Sequence, residues 1–92
     1  MNDTLKEVLS QRGDRYGPFE NHAAITQDLK SLIQWRLTDA GKTLRPFQQE
    51  ALDMICHKIG RIINGDPDYD DSWTDIAGYA TLVVNILKKE QS

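Results

Sequence analysis

One cysteine, Cys56, stands in 92 residues, so no internal disulfide can form and a reduced, cytosolic setting is expected. No apolar run approaches the roughly 20 residues that span a bilayer. The opening "MNDTLKEVLSQRG" lacks the basic start and apolar core of a secretory leader, so none is expected. Repeats, low-complexity tracts and linkers are also missing, and nowhere do apolar and polar residues alternate strictly enough to suggest a strand. Basic charge is scarce in the second half. Residues 1–46 hold seven Lys and Arg against six Asp and Glu, whereas residues 47–92 hold four against eight. An acidic half argues against general nucleic-acid binding, which needs a basic face to displace counterions. It suits a cation, a basic partner, or simply a solvated surface.

What is present is helical periodicity. Gly- and Pro-containing stretches at "GDRYGP", "DAGKTLRP" and "NGDPDYDD" divide one domain, 1–92, into four pieces. The pattern predicts an all-α fold, a small antiparallel bundle of three long helices plus a short N-terminal one. The short helix is expected over about residues 4–12, opened by a capping box of Thr4 and Glu7. The long ones are expected over about 18–37, 46–64 and 72–89, with Asp70, Asp71 or Ser72 capping the last. Leu29, Leu32, Leu52, Ile55, Ile59, Ile76 and Val83 are the expected core. The last helix is apolar nearly all round, with Tyr79, Leu82 and Ile86 behind its main face. A helix of that kind is usually buried. A homo-oligomer, a dimer or higher, would cover the extra face; otherwise the first helix does.

Several residues invite a chemical reading. Glu50, Asp53 and His57 share one side of the third helix, with Arg61 beside them, opposite its apolar face. Two carboxylates one turn apart can share a hard divalent ion such as Mg²⁺. Asp75 is a further carboxylate, kept inside the last helix after the run of aspartates from Asp66 to Asp71, and it is expected to face Glu50 or Asp53 across a cleft. The plainer account is a solvated helix face with intrahelical ion pairs and an acid-rich helix start. His22 projects from the apolar face of the second helix, where a buried, hydrogen-bonded histidine is the ordinary outcome. Arg12, Arg15 and Tyr16 crowd a Gly-bounded stretch whose N–H and guanidinium groups suit phosphate, or a tight corner. Lys58 lies at the edge of the apolar stripe, and Cys56 reads as packing.

At "RGDRYG", "ALDMICHKIGRIINGDP" and "DSWTDIAGYATLV" the chain resembles small phage and prophage proteins with no assigned activity. More distantly it resembles the MazG-like all-α nucleoside triphosphate pyrophosphohydrolases. Those place E-x-x-E on one helix and E-x-x-D on the next, jointly holding Mg²⁺ against a nucleotide's phosphates. Glu50-x-x-Asp53 stands for the first pair and Asp75 for the last acid of the second, while Ser72 occupies the other acidic place. The resemblance implies a metal held by Glu50, Asp53 and Asp75, with Arg15, Lys58 or Arg61 offsetting phosphate charge. The incomplete second pair points instead to a non-catalytic phage protein that binds a host protein or a nucleotide signal, in anti-defence or host takeover.

Overall fold

The computed structural model describes residues 3–92, apart from the side chains of Asp3 and Asp14. Four helices follow one another: α1 (Asp3–Tyr16), α2 (Phe19–Asp39), α3 (Pro46–Asn64) and α4 (Asp70–Gln91), with no strand among the described residues. The all-α expectation holds. No helix among the described residues is long and apolar enough to cross a membrane.

The breaks fall near the expected places, each for a local reason. Gly17 ends α1 at φ 76°, its N–H bonded back to the Gly13 carbonyl. Helix α1 therefore runs through Gly13, four residues past the predicted end and inside the stretch that reads as a turn. It also includes Asp3, so Thr4 lies inside the helix and does not cap it. Gly41, at φ 66°, closes α2 in a Schellman turn, with Gly41 N–H on the Thr38 carbonyl and Lys42 N–H on that of Leu37. Pro46 opens α3 as expected, and the Gln48 side chain accepts the Arg45 N–H at 2.9 Å. Helix α4 starts two residues early. Tyr69 is its N-cap, and Asp70 and Asp71 sit in the first turn, where carboxylates suit the helix dipole.

Helix α3 is the axis of the fold. Helices α2 and α4 both pack on it, α1 closes over one end of the α2–α3 pair, and α2 does not touch α4. The α3–α4 hairpin is antiparallel, pinned by Arg45–Glu90 at one end (2.7 Å) and Lys58–Asp75 toward the other (3.0 Å). With α3 flanked on two sides only, the interior is thin. Among the described residues Ala51 and Cys56 are the buried apolar ones, and no large side chain is fully buried. The expected core is corrected accordingly. Leu29, Leu52, Ile55, Ile59, Ile76 and Val83 are half-buried, and Leu32 is 54% exposed because α2 has no neighbour on that side. Helix α4 packs on α3 alone, so most of its surface stays open. Ser72 is its one buried residue, while Trp73, Leu82, Val84 and Ile86 face outward.

The connection between α3 and α4 doubles as the anchor for α1. Asn64 donates from Nδ2 to the carbonyls of Tyr16 (2.8 Å) and Pro18 (2.9 Å), and Asp66 N–H donates to that of Arg15. This close approach explains two glycines. A Cβ at Gly17 would run into Asn64, and one at Gly65 into the backbone of Arg15 and Tyr16. Asp66 also accepts the Asp68 N–H at 2.9 Å, and Trp73 donates its indole N–H to the Pro67 carbonyl, so most of the aspartate run serves as turn and helix-start chemistry.

Candidate functional site

Where α1 closes over α2 and α3, a pocket of about 380 Å³ remains, lined by Leu9, Arg12, Gly13, Tyr16, Gly17, Pro18, Phe19, His22, His57 and Arg61. Its size falls within the range of small-molecule sites. Antiparallel packing of α2 on α3 builds its floor. Gly60 lets the helices come close, since a Cβ there would lie 2.6 Å from Thr26 Cγ2 and 2.9 Å from the His22 ring. That approach brings His22 against His57, with Nε2 and Nδ1 3.2 Å apart and the rings edge to face at 4.6 Å. Thr26 stays in the helix by donating its hydroxyl to the His22 carbonyl, while His22 Nδ1 is buried without a hydrogen-bond partner.

The electrostatics of the pocket run against those of the chain. Burial, with Arg61 next, lowers the pKa of both histidines, that of His57 to about 4. Both rings are therefore neutral near pH 7. Arg12 and Arg61 supply guanidinium groups, and no carboxylate appears among the described lining residues. The described lining of the pocket is thus cationic in a chain of net charge −3. The Arg61 guanidinium lies 4.2 Å over the Tyr16 ring, which orients it without consuming its hydrogen-bond donors, and Phe19 is 78% exposed at the rim. Cationic forks beside aromatic faces suit a planar ligand that carries phosphate or carboxylate.

The sequence-predicted site residues are distributed differently. Of Arg15, Lys58 and Arg61, Arg61 alone lines this pocket. Arg15 borders a smaller cleft with Arg12 and Tyr16, lies 4.8 Å over the Tyr69 ring and donates to its hydroxyl at 3.0 Å. Lys58 is buried, its ammonium turned to Asp75 on α4. Nor does Asp75 face Glu50 or Asp53. In an antiparallel hairpin the start of α4 lies beside the later part of α3, and Lys58 is about 12 Å along the helix from Glu50 at 1.5 Å per residue. Glu50 is exposed, and Asp53 accepts a hydrogen bond from Gln49 at 2.9 Å. Among the described residues no three His, Cys, Asp or Glu side chains are placed to hold a metal ion together, so Glu50, Asp53 and Asp75 of one chain do not fit a shared Mg²⁺. The face of α3 read as solvated is also revised. Asp53, His57 and Arg61 are half-buried, because α2 packs against that side of α3 and α1 closes over its end. Cys56 is buried as expected, and burial raises its thiol pKa.

Residues 1–87 match a family described as a domain of unknown function, DUF6378. The chain belongs to that family. No curated protein matches it, and no solved structure does. The pocket and both hydrogen-bonded anchors of α1 lie wholly inside the DUF6378 segment, as do Lys58 and Asp75. Arg12, Tyr16, Phe19 and His57 are the pocket residues that the sequence alone does not assemble. Their one signal is the crowding of Arg and Tyr before Gly17, which reads as a turn until α1 is seen to run through it.

Proposed function

We propose that this DUF6378 chain binds a nucleotide, with the base against Phe19 and Tyr16 and the phosphates on Arg12 and Arg61. The observation that carries the reading is the pairing of two guanidinium groups with exposed aromatic surface in a pocket of nucleotide size. The resemblance of its strings to phage proteins supports a reading in which this binding acts in the cytosol of an infected cell, on a nucleotide pool or a nucleotide signal. A MazG-like, Mg²⁺-dependent hydrolysis asks for more than one chain offers. Asp75 would have to leave Lys58, and Glu50 and Asp53 would need acids from elsewhere, such as a second subunit of a homo-oligomer.

Calorimetry with a panel of ribo- and deoxynucleoside triphosphates, first in EDTA and then in Mg²⁺, tests this. Binding is expected in EDTA and should weaken about 10- to 100-fold in Arg61→Ala, the value of a charge-assisted hydrogen bond. Absence of binding by any nucleotide, or equal affinity in Arg12→Ala and Arg61→Ala, overturns it. A Mg²⁺ requirement with pyrophosphate release would favour the hydrolase instead. A second reading has its own observation. Trp73, Leu82, Val84 and Ile86 leave α4 with outward apolar surface suited to a protein partner, which in that reading belongs to the host.

A further inference from the structure

The surface of the chain is too large for its mass. A compact monomer of 10.5 kDa would expose about 5,400 Å², whereas this chain exposes 6779 Å². Its radius of gyration is 15.9 Å, against about 12 Å for a compact chain of this length. The excess, roughly 1,300 Å², exceeds the ~800 Å² that each partner buries in a standard interface. Leu32 and Ile63 are among the large apolar residues that contribute to it. Placed at 100° per residue, Leu52, Ile59 and Ile63 fall within about 40° of one another on α3. Ile25 and Leu32 fall on one side of α2 in the same way. Antiparallel packing, fixed by the approach of Gly60 to Thr26 and His22, aligns these as one stripe along the α2–α3 pair. Ile63 is 61% exposed and Leu32 54% exposed. Asp28 and Arg36 flank Leu32 on the same ridge of α2, four residues to either side. Among the described residues neither makes an ion pair within the chain.

The geometry points to a second copy of this chain on that stripe, in a two-fold dimer whose α2 helices cross antiparallel near Leu32. The spacing of charges supplies the choice of occupant. A two-fold axis at Leu32 sets Asp28 of each copy opposite Arg36 of the other, so the face is complementary to itself. Two α2–α3 pairs packed in this way make a four-helix layer that encloses Leu32, Leu52 and Ile59. This places the interface on α2 and α3, not on the Tyr79, Leu82 and Ile86 side of α4. It does not depend on what the pocket holds.

Sedimentation equilibrium tests the proposal. The wild-type chain is expected to be a dimer at micromolar concentration, and Leu32→Glu a monomer with unchanged helical circular dichroism. Asp28→Arg and Arg36→Asp involve exposed residues and leave the fold intact. Each alone should weaken dimerisation about tenfold or more, and the two together should restore it. A wild-type monomer at several hundred micromolar overturns the proposal. So do single charge reversals without effect, or a dimer that dissociates with Leu82→Glu and survives Leu32→Glu.

Discussion

Replacing Asp75 by Asn separates two accounts of why a carboxylate is kept inside α4. Asp75 Oδ2 lies 3.0 Å from Lys58 Nζ, and the lysine side chain is only 10% exposed while that of Asp75 is 46% exposed. At 3 Å and an effective dielectric of 20, the gross attraction is about 5 kcal/mol. Desolvation of the lysine and solvent screening of the half-exposed aspartate remove most of it. Asparagine keeps a carbonyl that the ammonium can donate to, so the net loss is that of the charge. We expect Asp75→Asn to destabilise by about 1–2 kcal/mol at pH 7 in metal-free buffer. At an m-value near 1 kcal/mol/M for a chain of this size, the urea midpoint would fall by about 1–2 M. Asp75 is the sixth residue of α4, beyond the reach of the helix dipole, which leaves Lys58 as the source of the effect. The decisive measurement is therefore a double-mutant cycle. With Lys58→Met already in place, Asp75→Asn should change stability by less than about 0.5 kcal/mol. A neutral or stabilising Asp75→Asn in the wild-type background would refute the reasoning. It would mean that Asp75 is repelled by neighbouring carboxylates, as a shared cation site requires.

Two further outcomes follow from the pocket floor. Because the folded pKa of His57 lies at about 4, below its unfolded value of 6.5, the unfolded chain binds more protons between those values. Its contribution is complete above pH 6.5 and declines as pH falls toward 4, by at most about 3 kcal/mol after allowance for partial exposure. Urea midpoints across pH 7 to 4.5 should therefore fall more steeply for the wild type than for His57→Gln, and parallel curves would reject the assignment. Gly60→Ala should destabilise by about 1–2 kcal/mol despite alanine's better helix propensity, because its methyl meets Thr26 and His22. Thermal melts read that difference, and an unchanged midpoint would show that the α2–α3 contact is looser than drawn.

The helices were legible because Gly and Pro punctuate them. Pro46 and Gly65 bound α3 to the residue, and the misses are those of local chemistry. Gly13 reads as a break, yet a glycine within a helix costs only about 1 kcal/mol. Helix α1 passes through it and stops at Gly17, where φ is positive. The pocket was largely hidden. His22 was visible as a histidine on an apolar face, but its partner His57 looked solvated, since periodicity gives the faces of one helix and not the register between two. The same limit misplaced Asp75. The order of acids along the chain suggested a meeting with Asp53, and the hairpin register put Lys58 there.

The attachment of α1 has a consequence for the time course of events at the pocket. Residues 4–12 are exposed throughout, and the C-terminal end of α1 is held by the Asn64 side chain on the Tyr16 carbonyl and the Asp66 N–H on that of Arg15. So small a buried area makes α1 the unit with the lowest opening free energy in the chain. Its amide protons should exchange with solvent deuterium well before those of α3. Leu9, Arg12 and Tyr16 form one wall of the pocket, so under the proposed nucleotide binding, opening of α1 would also open the site. A bound ligand would then slow deuterium uptake in α1 by the ratio of its concentration to its dissociation constant. On the proposed function, the dwell time of α1 would then limit how long the nucleotide stays.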